Sequence, residues 1–335
     1  MKKILAILLT LVLTLGISIA FAEKADTPLK IGYYGCSPTA AFSKEFWETL
    51  EANCEARGHE LIGVFTDYDP VKMRAAYEQF KMQGVDIIID GNQIKDSMTP
   101  FVEQALVDGI PYIACFVSYP DMPEVYTFGP ANPAMGAATG EYIGKLIAEE
   151  WDGKLDLIIL KGTFATAPDI TERLTSAVPV LGEYVDIEGV EIIEQQDISG
   201  DAAKAYQQTM DALVSHPDAK IAIFCQTDDI ASSAFSAVEA AGRMDDVMGT
   251  GSDCIAATLE YWQTAIKEGK EKQVPWRGSI YLNTLGWGSD IVAMAEAVVA
   301  GTQDVHAYVA PVTCAGLENW EEYFPNLMEM DFTQG

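Results

Sequence analysis

The amino-acid sequence predicts an α/β protein of two doubly wound parallel-sheet lobes joined by a multi-strand hinge, and three observations carry that prediction. Ten short apolar runs recur along the chain, longer segments of helical period separate them, and 335 residues exceed what one hydrophobic core ordinarily organises. Most runs are continuous rather than alternating, as strands buried on both faces of a parallel sheet must be.

The first five runs are Lys30–Gly35, Glu60–Phe65, Val85–Asp90, Tyr112–Phe116 and Tyr126–Gly129. The second five are Leu155–Lys161, Val190–Gln195, Lys220–Cys225, Val247–Gly251 and Gly278–Leu282. Between them, Asp69-Pro70 caps and opens a helix that stops near Gly84, Asn132-Pro133 opens another, and Ala167-Pro168 a third. Proline suits the first turn because the N–H it lacks has no intrahelical partner there. The segment Asp228–Ala241, rich in Ala and Ser, ends at Gly242 and suits close packing on a sheet. Strand, helix, strand at intervals of about 30 residues means right-handed βαβ units. No Gly/Ser-rich linker parts the two sets, so short ordered crossings join the lobes and make a hinge. The expected organisation is residues 1–22 as a signal peptide, 28–131 plus 284–312 as an N-terminal lobe, 132–283 as a C-terminal lobe, and 313–335 returning across the hinge.

The leader is read from Lys2 and Lys3, an uncharged run from Ile4 to Phe21, and Ala20-Phe21-Ala22, a small-x-small cleavage pattern. Thr10, Thr14 and Ser18 interrupt that run and argue against a retained anchor. No cysteine lies near the cleavage point, so there is no lipobox and a soluble periplasmic protein is expected. The formal net charge is −29, and −31 once the two leader lysines are removed. Such a field repels phosphate backbones and anionic headgroups, which excludes nucleic acid as a partner. Six cysteines, at 36, 54, 115, 225, 254 and 314, form no C-x-x-C pair, so buried free thiols are expected, with one or two bridges the alternative.

Enzymatic signatures are missing. No G-x-S-x-G elbow, Walker loop, H-E-x-x-H or strand-borne G-x-G-x-x-G occurs, and His59, His216 and His306 are far apart in sequence. The expectation is a binding protein without catalytic residues, metal or cofactor. In an open parallel sheet ligands sit beyond the carboxyl ends of the strands, which directs attention to the residues following each run.

Those residues carry a resemblance. The segments Lys30-Ile31-Gly32 leading to Phe42, Gly140-Glu141-Tyr142-Ile143-Gly144, His216-Pro217 before Phe224-Cys225-Gln226-Thr227-Asp228, Gly251-Ser252-Asp253 and Tyr281-Leu282-Asn283 stand in an order and spacing similar to the type I periplasmic solute-binding proteins of the ribose and galactose/glucose group. The resemblance covers essentially the whole mature chain. It implies a monosaccharide ligand, closure of two lobes over it, and delivery by a monomer to the permease of an ABC importer. A non-sugar metabolite presented to a chemoreceptor or sensor kinase is the alternative, while a cytoplasmic repressor of the same fold is excluded by the leader and the charge.

The resemblance also assigns roles. Phe42 corresponds to an aromatic that stacks on a sugar face, or is a core residue opening the first helix. Asp169 and Arg173, four residues apart, correspond to an Asp and Arg that grip hydroxyls, or form an exposed helix ion pair. Asp253 and Asn283 correspond to ligand-binding residues, the alternatives being a helix cap and a turn. Thr227 stands where the group usually has Asn, and Asp228 follows as ligand or N-cap. Phe116-Val117 replaces the usual polar or charged residue, Ser199-Gly200 lacks the aromatic lid, and the calcium loop of galactose binders is missing, which leaves room for a less hydroxylated ligand. Trp287, one turn past Asn283, replaces the missing aromatic wall or belongs to the core.

Overall fold

The computed structural model describes residues 27–163, 168–196 and 201–332, so the leader and Ser199-Gly200 lie outside the described residues. Strands β1 (Lys30–Gly35), β2 (Glu60–Phe65), β3 (Ile87–Asp90), β4 (Tyr112–Cys115) and β5 (Tyr126–Phe128) form one sheet, completed by β11 (Ala307–Tyr308). Strands β6 (Leu157–Thr163), β7 (Glu191–Gln196), β8 (Ile221–Cys225), β9 (Val247–Asp253) and β10 (Trp276–Tyr281) form the other, completed by β12 (Thr313–Gly316). Their orders are β11-β5-β4-β3-β1-β2 and β12-β10-β9-β8-β6-β7, parallel throughout except where β12 runs antiparallel to β10. The sixth strand of each sheet escaped the sequence reading because two and four residues are too short for a pattern. The apolar reading also weakens at β7, whose side chains are mostly exposed or half-buried, as an edge strand permits.

Helices cover both faces. The first lobe holds α1 (Ala41–Arg57), α2 (Pro70–Gln83) and α3 (Lys95–Val107); after β5 come α4 (Asn132–Glu150), α5 (Pro168–Thr175), α6 (Ala177–Leu181), α7 (Ala202–Ser215), α8 (Asp228–Ala240) and α9 (Ala256–Glu268). The chain then returns through α10 (Thr284–Val299), which packs on α1, before the short α11 (Trp320–Tyr323). The predicted starts at Pro70, Asn132 and Pro168 stand. Asp69 accepts from the Val71 N–H as N-cap, and Gly84 terminates α2 with φ 64°.

Each sheet is cored on both faces. Ile31, Phe46, Ile89, Ile113 and Ile291 meet on one side of the first sheet and Tyr34, Phe80, Ile88 and Val102 on the other; Ile159, Ile223 and Phe235 face Leu160, Phe224 and Leu181 across the second. Continuous apolar strands are the direct consequence. The Gly-x-x-x-Gly spacing in α4 has a steric cause: a Cβ at Gly140 would stand 2.2 Å from the Ala177 carbonyl, and one at Gly136 2.7 Å from that of Arg173. Helix α4 therefore lies directly on the backbone of α5 and α6.

Residues 129–131, 282–283 and 309–312 carry the chain between the sheets. The six cysteines are all free and buried, so the free-thiol reading holds and the bridged alternative does not. No described helix is long and apolar enough to cross a membrane.

Candidate functional site

The carboxyl ends of the two sheets face one another, and the backbone is strained there. Among the described non-glycine residues with positive φ, Asp67 and Tyr68 follow β2, Gln93 follows β3, Phe116 follows β4, and Asp253 and Cys254 close β9; only Asp152 lies elsewhere. Such conformations persist where surrounding structure enforces them, and they mark functional sites.

On the first lobe, Phe42 is the second residue of α1, half-buried, stacked parallel on Phe46 at 5.9 Å and edge-on to Phe116 at 5.6 Å. Phe116, with φ 66°, turns its ring between Phe42 and Trp287, 5.7 Å from the latter. Trp287 then meets Phe128 edge-on at 6.1 Å and belongs to the core, so it backs the aromatic wall instead of replacing a face of it.

From the second lobe Arg173 enters this space, 5% exposed. The four-residue spacing does place it on one helix with the half-buried Asp169, yet among the described residues no ion pair joins them. The guanidinium donates to other partners: Nε and Nη2 to Asn132 Oδ1 at 3.2 and 3.1 Å, Nη1 to the Gln226 carbonyl at 3.2 Å, and Nη2 to Gln93 Oε1 at 3.5 Å. Gln93 lies after β3, so this arginine spans the cleft. A second bridge runs from the Ala41 N–H at the head of α1 to Asp229 Oδ2 at 3.4 Å. Because Ala40 supplies no side-chain cap, the opposite lobe's carboxylate serves the end of α1.

Asp253 faces the same space, 7% exposed with φ 114°. Burial pushes its carboxyl well above the usual range, Asp228, Asp229 and Glu45 add to the push, and Arg173 opposes it. Burial likewise lowers Arg173, with Asp253 and Tyr68 opposing. The cleft thus brings together an aromatic wall, a buried cation and a buried acid, donors and acceptors suited to a polyhydroxy molecule with apolar C–H faces.

Three of the sequence candidates, Asp228, Thr227 and Asn283, bond protein groups. Asp228 is fully buried and committed to protein donors: Oδ2 accepts from the Ile255 N–H at 3.1 Å and Thr258 Oγ1 at 2.5 Å, and Oδ1 from Ser279 Oγ at 2.7 Å. It ties the ends of β8, β9 and β10 together beneath the cleft, so it is a strut and not a surface ligand. Gly251 is required beside it, since a Cβ there would fall 1.9 Å from Asp228 Oδ1. The N-cap of α8 is Thr227, whose Oγ1 accepts from the Ile230 N–H at 3.4 Å, and not Asp228. Asn283 is exposed and caps α10 through the Gly286 N–H at 3.3 Å, the turn role left open above.

Other residues were missed as site members. In sequence Asn132 shows only as a helix opener and Gln226 only as a position following a strand, while Gln93 and Asp229 carry no motif. Their roles depend on which loops meet across the cleft. Beneath the first-lobe wall, Thr66 Oγ1 donates to Asn92 Oδ1 at 2.5 Å and Tyr112 to Asp90 Oδ2 at 3.0 Å, with burial pushing Asp90 up to about 6. No group of His, Cys, Asp and Glu among the described residues could hold a metal.

Known proteins share this architecture. An ABC transporter solute binding protein from Bacillus halodurans, solved with bound myo-inositol, superposes with a TM-score of 0.74 at 22% identity, over 89% of this chain and 98% of that one. One from Actinobacillus succinogenes with bound D-allose gives 0.73 at 19% identity, over 89% and 100%. The D-ribose/D-allose-binding protein of Pseudomonas aeruginosa is 26% identical over 233 residues, 65% of this chain and 69% of that protein. The ribose import binding protein RbsB of Escherichia coli is 24% identical over 253 residues, 76% and 80%. Residues 31–303 match the family model described as periplasmic binding protein domain, and with that match over most of its length the chain belongs to the periplasmic binding protein family.

Proposed function

We propose that this chain is an exported receptor that closes its two lobes over one small polar molecule, a monosaccharide, and delivers it to the permease of an ABC importer. The observation that carries the reading is the pairing, in one interlobe space, of the Phe42–Phe116 wall with the buried Arg173 and Asp253. A flat ring fits the C–H face of a sugar, and a guanidinium and a carboxylate divide its hydroxyls between donor and acceptor. The names of the relatives, which bind ribose and allose, point the same way.

In this reading Phe42 and Phe116 cover one face of the ligand, Arg173, Asp253 and Thr227 bond its hydroxyls, and Asp169 and Asn283 sit at the rim. Trp287 and Asp228 support the two walls from behind. Contacts from both lobes favour the closed state and make binding and closure one event. In this reading the ligand leaves unchanged, as delivery to an importer requires. Export to the periplasm is supported by the uncharged run after Lys3 and by the family.

The test is native mass spectrometry of the purified protein for a carried-over molecule, followed by a thermal-shift panel of pentoses, hexoses, inositols, amino acids and nucleosides. Stabilisation by a sugar or inositol is expected. A shift confined to amino acids or nucleosides overturns the sugar, and turnover of the bound molecule overturns the receptor.

A further inference from the structure

Asn132 is buried, 3% exposed, where the chain leaves the first sheet and enters α4. Its single amide is divided between the lobes. Nδ2 donates to the Phe116 carbonyl at 3.1 Å, on the first-lobe side, and Oδ1 accepts from Arg173 Nε at 3.2 Å and Nη2 at 3.1 Å, on the second. Only this orientation satisfies both partners, because a guanidinium has no acceptor and a carbonyl no donor. The amide is not used as a helix cap: Ala131 holds the N-cap position without a side-chain bond.

Both partners need an external hold. Phe116 is an aromatic residue at φ 66°, a sparsely populated conformation that only its surroundings can enforce. Its N–H is bonded to the Phe128 carbonyl at 2.9 Å, and Asn132 holds its other side. Arg173 has a long, flexible stem, and its bonds to Asn132, Gln226 and Gln93 direct four of its five N–H groups. Among the described residues the second Nη1 N–H has no partner and is the one offered to whatever enters the cleft.

We propose that Asn132 is a positioning residue that sets the cleft's cation and its aromatic wall in register through one hinge-borne amide, so that ligand affinity depends on a side chain acting through Arg173 and Phe116. The proposal rests on the capture reading for its binding test and not for its structural one.

The binding test is a double-mutant cycle by calorimetry with D-ribose, D-allose and myo-inositol. Asn132→Ala is expected to weaken the best of these by roughly tenfold or more in the wild-type chain, but by less than about threefold in an Arg173→Lys background, where the fork is already lost. Equal losses in both backgrounds overturn the proposal. The structural test needs no ligand: the Arg173 Nε–H resonance, assigned by its loss in Arg173→Lys, is expected to exchange slowly in the wild type and in Asn132→Asp, which keeps the acceptor oxygens, and to vanish in Asn132→Ala. A peak that persists in folded Asn132→Ala overturns the proposal. Should that variant not fold, Asn132→Asp is expected to keep the resonance yet weaken binding, having lost the donor to Phe116, and unchanged affinity overturns the role. If the wild type binds none of the three probes, the capture reading fails while the resonance still decides the positioning role.

Discussion

Replacing Arg173 with alanine strikes the centre of the cleft. The substitution leaves the Asn132 Oδ1, the Gln226 carbonyl and Gln93 Oε1 without their donor and removes the one described cation that holds down the Asp253 carboxyl. Hydrogen bonds to a charged group contribute about 1.5–3 kcal/mol each, and a buried orphan costs about 1–3 kcal/mol. Part of this falls on the fold, because the partners are protein groups, and part on closure, because Gln93 belongs to the opposite lobe. Ligand binding is expected to lose about 2–4 kcal/mol, roughly 30- to 1,000-fold in Kd. Calorimetry with the sugar selected by the thermal-shift panel reads that loss, and urea unfolding separates it from stability. A folded Arg173→Ala protein whose Kd moves by less than about threefold would refute the assignment of Arg173 to the ligand.

Phe42→Ala removes the ring that leans on both Phe46 and Phe116, and it is expected to weaken sugar binding by about 1–3 kcal/mol in the same titration, with unchanged affinity placing the ring in the core alone. Burial pushes the Asp228 carboxyl up to about 7, above its unfolded value near 4, so its contribution is fully present below about pH 4 and is lost as pH rises through 7. The wild-type Tm should therefore fall between pH 5 and 8 more steeply than that of Asp228→Asn; parallel slopes would assign the trend to the general negative charge. Burial pushes the Cys54 and Cys225 thiols up to about 12 and raises Cys115, Cys254 and Cys314 as well. A thiol reagent at pH 8 should leave the native protein unlabelled and count six thiols in guanidinium, and fast labelling of any one contradicts its burial.

How far each residue was legible follows from the range of the interaction that defines it. Most of the ten apolar runs announce themselves because a strand buried on both faces must be apolar along its length, and the signal is weakest at the edge strand β7. The caps at Asp69 and Gly84 are visible because capping acts within four residues. Asp228 was placed in the cleft because its neighbours in sequence are there, yet its partners Ile255, Thr258 and Ser279 lie 27, 30 and 51 residues away and draw it inward. Trp287 likewise shows one turn of helix in sequence, while the rings that enclose it come from β5 and the end of β4.

The sequence by itself determines the class of fold, the strand ends beyond which ligand-facing residues are expected, and a net charge that repels polyanions. These follow from hydrophobic period, local capping and summed charge, none of which depends on distant contacts. Tertiary structure alone decides that Arg173 turns from Asp169 to Asn132 and Gln93, that Asp229 caps a helix of the other lobe, and that Asp228 supports the cleft without lining it. Each of those bonds joins segments brought together only when the sheets face one another. The desolvation that gives them their strength arises in the same step.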